Sequence, residues 1–224
     1  MTPAQAHRIR TAFDAFAGDL RYPCLAAKGL ARRGTYALDV YGGLGSAPAT
    51  RALADGLGAF ARAAKTAGDG PFSAFVAVFA RRPSMSEAEF ERRLWGQLQD
   101  LHDRDDPSVG WDPGVSDDPA DPRFSFSFAG TALFVIGLHP ASSRIARRFA
   151  WPALVFNPHA QFERLRRDGQ FDRLRDRIRA RDEALQGHVN PSLADFGNQS
   201  EARQYSGRET TTHGWRCPFH ARKP

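Results

Sequence analysis

The segment FSFSFAGTALFVIGL, residues 124–138, decides the fold class of this chain. Its first five residues alternate phenylalanine with serine, which is the period of an amphipathic strand. Residues 131–138 are nearly all apolar, and Ala129-Gly130 separates the two runs. A two-residue loop between two strand-like runs predicts a β-hairpin.

Strand-like and helix-like patterns lie on both sides of this hairpin. Apolar runs predict three further strands, at 36–41, 72–80 and 151–156. Apolar residues at helical spacing predict helices near the N-terminus, at 50–65, after the capping box Ser86–Glu89, at 161–167 and at 171–185. We therefore predict a single α+β domain over residues 1–224, with a mostly antiparallel or mixed sheet and packed helices.

The segment 103–122 is crowded with Asp, Pro and Gly, and it predicts a long loop. Loops of this length inside a compact domain are usually functional or disordered. Trp111 stands among prolines and is expected to fold back over another part of the chain. We expect this loop to shape a substrate pocket.

Charge and hydropathy exclude several classes of partner. The net charge of +6 comes from arginines that are mixed with acidic residues, as in 173–179, rather than gathered in one basic run. This favours a pocket for a small anionic ligand over a nucleic-acid surface. The most apolar segment, 131–138, is far shorter than the ~20 residues that span a bilayer. We expect a cytoplasmic protein with neither nucleic acid nor a membrane as partner.

The two cysteines lie near opposite ends of the chain, and each has a proline beside it: Pro23-Cys24 and Cys217-Pro218. Two cysteines cannot build a disulfide framework, and a reducing compartment would keep them as thiols. A thiolate is both a soft metal ligand and a nucleophile. These sulfurs are therefore the first candidates for chemistry.

Two histidines also have proline neighbours, each at the end of a predicted strand: His139-Pro140 and Pro158-His159. Either could ligate a metal. The pair Cys217 and His220 has a zinc-like spacing that Cys24, His213 or His159 could complete. A haem needs an axial ligand, an apolar slot and cations for its propionates, for which Arg144, Arg147 and Arg148 are candidates. Composition alone leaves haem and zinc both open, and neither GxSxG nor HExxH occurs.

Five ordered motifs resemble the YqcI/YcgG family, and together they run from about Arg21 to His220. They are YPCLAAK at 22–28, GLHP at 137–140 with SSR at 142–144 and RRF at 147–149, FNPH at 156–159 with QFE at 161–163, SEARQY at 200–205, and CPFH at 217–220. The family includes haem-dependent N-oxygenases that hydroxylate guanidine or amine nitrogens. The resemblance implies haem b with a thiolate axial ligand from the first motif, which here is Cys24.

The resemblance also implies a histidine on or near the other face of the iron, with His139 first and His159 second, and Cys217 as a reserve ligand. It suggests that Arg144, Arg147 and Arg148 bind the haem propionates. Asn157 would contact bound oxygen or orient His159. The substrate would contact Glu201, Glu163 or Arg203. The implied partners are a small nitrogen-rich substrate, O₂ and an external electron donor, and a homodimer stays open. The alternatives are a non-catalytic haem sensor or carrier and a structural zinc protein.

Overall fold

The computed structural model describes residues 2–68, 70–81, 84–210 and 214–222. The α-helices in these residues are α1 (Pro3–Gly18), α2 (Leu25–Arg33), α3 (Ala47–Ala67), α4 (Glu87–His102), α5 (His159–Arg167), α6 (Phe171–Gln186) and α7 (Ala202–Tyr205). The strands are β1 (Tyr36–Tyr41), β2 (Ala74–Phe79), β3 (Phe126–Phe128), β4 (Thr131–Leu138) and β5 (Ala153–Pro158).

The five strands form one mixed sheet in the order β1-β2-β5-β4-β3. Only β1 and β2 are parallel, and the other neighbouring pairs are antiparallel. The predicted α+β class and the single packed domain with a mixed sheet are confirmed. The central strand β5 pairs with β2 on one side and with β4 on the other.

Side chains that alternate along the strands divide the core into two layers. Leu133 and Val135 face a cluster built with α3 and α4. Ile136 and Leu138 face the opposite cluster, which is built with α1. Because the side-chain period of a strand is two, neighbouring residues of β4 belong to different layers. We call these the α4 layer and the α1 layer.

The β3–β4 hairpin is confirmed, and its turn has the geometry its sequence needs. Ala129 and Gly130 have φ angles of 50° and 65°, both in the left-handed region that two-residue type I′ hairpins use. The prediction of an amphipathic first strand is wrong, because Ser125 and Ser127 are as buried as the phenylalanines that alternate with them. The Ser127 hydroxyl accepts a hydrogen bond from the backbone N–H of Asp112, which satisfies one buried polar group.

The loop 103–122 braces this hairpin from the α4 layer. The Asp105 carboxylate accepts the backbone N–H of Ala129, and the Asp112 carboxylate accepts that of Ala132. Trp111 packs edge-on to Phe126, which confirms that it folds back over the core. Most of the remaining aspartates bond backbone N–H groups one to three positions away, as turn-forming aspartates do. The loop is thus a structural brace.

The C-terminal CPFH motif anchors the end of the chain. Phe219 is fully buried and lies among Trp95, Trp111, Phe124 and Phe126. Burying a phenylalanine contributes about 1.5–3 kcal/mol. This segment is therefore a structural part of the α4 layer.

Several helix beginnings differ from the sequence prediction: α5 begins at His159 rather than at 161, and α7 was not predicted. Helix α2 was not predicted, because its cap is a cysteine: the Cys24 Sγ accepts the backbone N–H of Ala27. Helix α3 begins at Ala47, three residues before the predicted start at Thr50, with Ser46 at the cap position. The Ser86 cap of α4 is confirmed by its bond from the Glu89 N–H. Among the described residues no helix is long and apolar enough to cross a bilayer.

We predict that Gly137→Ala destabilises the protein by about 1–3 kcal/mol, the usual cost of overpacking a core. A Cβ at Gly137 would lie 2.7 Å from Leu94 Cδ1 and from Phe90 Cε1, and 2.9 Å from the Tyr205 carbonyl oxygen. Urea unfolding measures the change. The matched control is Gly96→Ala in α4, where a Cβ meets nothing within 4 Å and should stabilise by about 0.5–1 kcal/mol. Equal effects of the two changes would contradict the packing account.

Candidate functional site

A cavity of about 260 Å³ lies in the α1 layer, between the sheet and helices α1, α2, α5 and α6. This volume lies just below the usual range for small-molecule pockets, about 300–1,000 Å³. Its walls are mostly apolar, and the sheet face that forms its floor consists of Ala74, Val76, Phe134, Ile136, Leu138, Val155 and Asn157. The polar side chains on its walls include Cys24, His159 and Glu201, which come from three separate segments.

Cys24 lines the cavity from the N-terminus of α2. Its Sγ lies 3.5 Å from the backbone nitrogen of Ala27, and the positive end of the helix favours a thiolate there. Burial acts in the opposite direction and raises the pKa of the Cys24 thiol, which the Ala27 and Ala26 N–H groups and the Arg147 charge partly oppose. A bound metal would complete the deprotonation, since thiolate ligands lose their proton on coordination.

The segment that carries Cys24 is tied to α6. The Arg181 guanidinium donates to the carbonyl oxygens of Leu20 and Tyr22, the latter at 3.1 Å. Lys28 donates to the Leu20 carbonyl as well, at 3.0 Å. These contacts fix the entrance to α2 and hence the position of the sulfur.

His159 lines the same cavity from the first residue of α5. It is 6% exposed, and its ring lies 4.4 Å from the ring of Phe196, centroid to centroid. Burial lowers the pKa of His159, with the nearby Glu163 carboxylate opposing the shift. A neutral imidazole is the form that ligates a metal.

Asn157 and Glu201 complete the polar part of the cavity. Asn157 donates from Nδ2 to the Phe134 carbonyl at 3.2 Å across the β4–β5 pair, which fixes its side chain at the cavity floor. Glu201 is 4% exposed and accepts a hydrogen bond from the Tyr205 hydroxyl at 2.6 Å. Burial raises the pKa of Glu201 to about 7, so this carboxyl group can accept or release a proton near neutral pH.

His139 lies on the other side of the sheet. Its ring stacks on Phe90 of α4 at 4.3 Å, in the α4 layer, and it does not line the cavity. Leu138 lines the cavity, and the next side chain of an extended strand points to the opposite face. Since Cys24 and His139 are in different layers, the placement does not support them as the two axial ligands of one iron. Of the two histidines, His159 is the one that lines the same cavity as Cys24.

The three arginines expected at the propionates have other partners, and the cavity lining does not include them. Arg144 pairs with Asp182, Arg147 donates to the Gly137 carbonyl at 3.1 Å, and Arg148 donates to the Ser142 carbonyl at 2.6 Å. They hold the chain after β4 in place. This placement does not support a propionate role for them.

The cations that do line the cavity are Arg166, Arg175 and Arg179. Arg175 and Arg179 both pair with Asp195, at 2.7 and 2.9 Å. They stand one residue after Leu174 and Ile178, the apolar stripe of α6. In the sequence, this position beside the apolar stripe of a predicted helix is the signal that places the two arginines near the core.

The remaining predicted residues lie away from the cavity floor. Arg203 lies over the Trp215 ring at 5.4 Å in the α4 layer and does not line the cavity, so its placement does not support contact with a substrate carboxylate. Cys217 packs against the same layer, and burial raises its pKa to about 12, which keeps it a thiol. Glu163 pairs with Arg166 at the outer end of the cavity wall. The loop 103–122 does not contribute to the lining either, contrary to expectation.

The zinc alternative finds no support in the described residues. Cys24 and Cys217 belong to opposite layers, and no group of three or more His, Cys, Asp or Glu side chains is placed to hold a metal within the ranges that the structure describes. His213, one of the candidate ligands, lies outside those ranges.

The chain belongs to the YqcI/YcgG family, whose sequence model matches residues 13–220. This match covers every helix and strand except the first part of α1. The search of curated proteins and the search of solved structures found no match.

We predict that Glu201 makes the stability fall as pH rises from about 4.5 to about 7. The folded protein keeps the Glu201 proton up to about 7, whereas the unfolded chain releases it near 4.5, so folding binds protons in this window. The full shift corresponds to about 3 kcal/mol at 1.36 kcal/mol per pKa unit.

Urea unfolding of the wild type and Glu201→Gln across this window measures the effect. Subtracting one pH profile from the other removes the contribution of His139 and His159, whose lowered pKa values make the stability of both proteins rise with pH. A pH profile that Glu201→Gln leaves unchanged would contradict the raised pKa.

Proposed function

We propose that the protein is a haem-dependent N-oxygenase that hydroxylates a guanidine, amine or aminoimidazole nitrogen of a small metabolite with O₂. The observation that carries the proposal is the juxtaposition of Cys24, His159 and Glu201 on the walls of one largely apolar cavity. A soft sulfur donor for the iron and a buried carboxyl group for a cationic nitrogen are parts that this chemistry needs, and the imidazole of His159 would lie on the same walls. The family resemblance supports the same activity.

The residues on the cavity walls fit a haem. Cys24 would supply the thiolate, and Arg166, Arg175 and Arg179 would pair with the propionates, for which guanidinium groups are suited. Apolar side chains from the sheet floor and from α6 would cover the macrocycle. When bound, a thiolate-ligated haem would supply the activation of O₂.

Glu201 would bind the substrate nitrogen. A cationic guanidinium or ammonium group pairs well with a buried carboxylate, and the Tyr205 hydroxyl holds Glu201 in place at 2.6 Å. With a pKa of about 7, the same carboxyl group would accept the proton that the substrate nitrogen loses on hydroxylation. The apolar walls would exclude water from this proton transfer. The side-chain amide of Asn157 would offer a bound molecule one polar contact at the cavity floor.

The reaction needs electrons from outside the site. We propose a separate reductant in a reducing compartment, where Cys24 stays a free thiol, as it is in this structure.

A second candidate function is a non-catalytic haem sensor or carrier. It is favoured by one observation, that Cys24 and His159 line the same cavity. If both ligated the iron, the haem would be closed to O₂ and ligand exchange would be the signal.

We predict that Cys24→Ala lowers haem affinity at least tenfold and shifts the Soret band, because it removes the only thiol on the cavity walls among the described residues. Titration of the haem-free protein with haemin, followed by absorbance, measures this. The matched control is Cys217→Ala, which removes the other cysteine from the opposite layer and should bind haem like the wild type. Loss of binding in the control alone would transfer the ligand to Cys217.

The activity test incubates the haem-loaded protein with a reductant, O₂ and a panel of guanidines, amines and aminoimidazoles, with products identified by mass spectrometry. We expect an N-hydroxylated product from at least one cationic substrate, and at least a tenfold loss in Glu201→Gln. Haem binding without product across the panel would favour the sensor or carrier.

A further inference from the structure

A row of aromatic rings connects the surface with the Glu201 side of the cavity. The rings of Trp95 and Tyr205 are stacked, with centroids 5.5 Å apart and planes 21° from parallel. Trp215, which is half-buried, follows at 6.4 Å from Trp95. At the inner end the Tyr205 hydroxyl bonds Glu201, which lines the cavity. The three rings are thus neighbours in series.

The two ends of this row have proton acceptors, and the middle has none. The Tyr205 hydroxyl donates to Glu201, and the Trp215 indole N–H donates to Glu91 Oε1 at 3.2 Å. The Trp95 indole N–H is buried and has no acceptor among the described residues. An unpaired buried donor costs about 1–3 kcal/mol, so it needs a reason. An oxidised Trp95 in this setting keeps its proton and stays a radical cation that is readily reduced again.

We propose that Tyr205, Trp95 and Trp215 form a redox chain that carries oxidising equivalents from the cavity to the surface. Its role rests on the proposed function: when a strong one-electron oxidant formed in the cavity meets no substrate, the chain reduces it and protects the protein. The pairing of each end with a carboxylate is what allows the end residues to lose an electron as neutral radicals.

Tyr205 gives one electron to the oxidant and its hydroxyl proton to the Glu201 carboxylate, which leaves a neutral tyrosyl radical. Trp95 then gives an electron to Tyr205, which takes its proton back from Glu201, and Trp95 becomes a radical cation. Trp215 reduces Trp95 and passes its N–H proton to Glu91. A soluble one-electron reductant, such as a thiol or ascorbate, restores Trp215 with an electron, and Glu91 returns the proton.

The test uses the haem-free full chain, so that it does not depend on haem binding. Azide radicals made by pulse radiolysis oxidise indoles first, and transient absorbance then follows the transfer of the oxidising equivalent from tryptophan to Tyr205. This direction is the reverse of the protective one, and it tests the chain because the same ring contacts couple the residues in both directions. We expect a first-order rise of tyrosyl radical at a rate independent of protein concentration. Trp95→Phe and Tyr205→Phe should lower its yield at least tenfold, and Glu201→Gln should slow the rise at least tenfold because it removes the proton acceptor.

The control is Trp111→Phe. Trp111 is also a half-buried indole whose N–H is buried without an acceptor among the described residues, but its ring neighbours are His102, Phe124, Phe126 and Phe219 rather than a tyrosine. The Trp111→Phe variant should form the tyrosyl radical with the yield and rate of the wild type. Trp215→Phe, at a half-buried position, replaces Trp95→Phe if that variant fails to fold by circular dichroism, and it should lower the yield too.

No intramolecular transfer in the wild type, or wild-type yields in both Trp95→Phe and Tyr205→Phe, would overturn the chain. The haemin titration separates this outcome from failure of the proposed function. Haem binding without transfer rejects the chain alone. Radical transfer in a protein that does not bind haem would support the redox chain and reject its role in an oxygenase.

Discussion

The alternation of side chains along β4 and β5 is the constraint on which the rest of the structure depends. Both strands lie inside the sheet, so each residue must face one of two buried layers. Phe134, Ile136 and Leu138 therefore reach the cavity, while Gly137 faces α4 closely enough that a Cβ would clash. This division places the cavity in one layer and the C-terminal aromatic cluster in the other.

The division gives the two cysteines and the two histidines different roles. Cys24 precedes α2 as its cap residue and His159 is the first residue of α5, and both line the cavity in the α1 layer. His139 and Cys217 lie in the α4 layer, against Phe90 and the C-terminal aromatic cluster. Proline neighbours made the members of each pair look alike in sequence, but the sheet separates them.

Local patterns predicted the elements well, because hairpin turns, caps and apolar periods depend on neighbours in sequence. The Ala129-Gly130 turn and the Ser86 cap are examples. The site was predicted less completely, because it depends on which layer a residue enters. The basic run at 144–148 suggested an anion site, yet its arginines hold backbone carbonyls and Asp182, and the cations at the cavity come from α6 and α5. No local pattern showed that the loop 103–122 braces the α4 layer.

The central claim is that the haem lies in the α1 layer between Cys24 and the His159 side of the cavity. The most direct measurement is the electron paramagnetic resonance spectrum of the ferric haem-loaded protein, compared with His159→Ala and His139→Ala. The account predicts a thiolate-type spectrum that His159→Ala changes in spin state or line shape and that His139→Ala leaves as in the wild type. A spectrum that changes with His139→Ala and not with His159→Ala would contradict it.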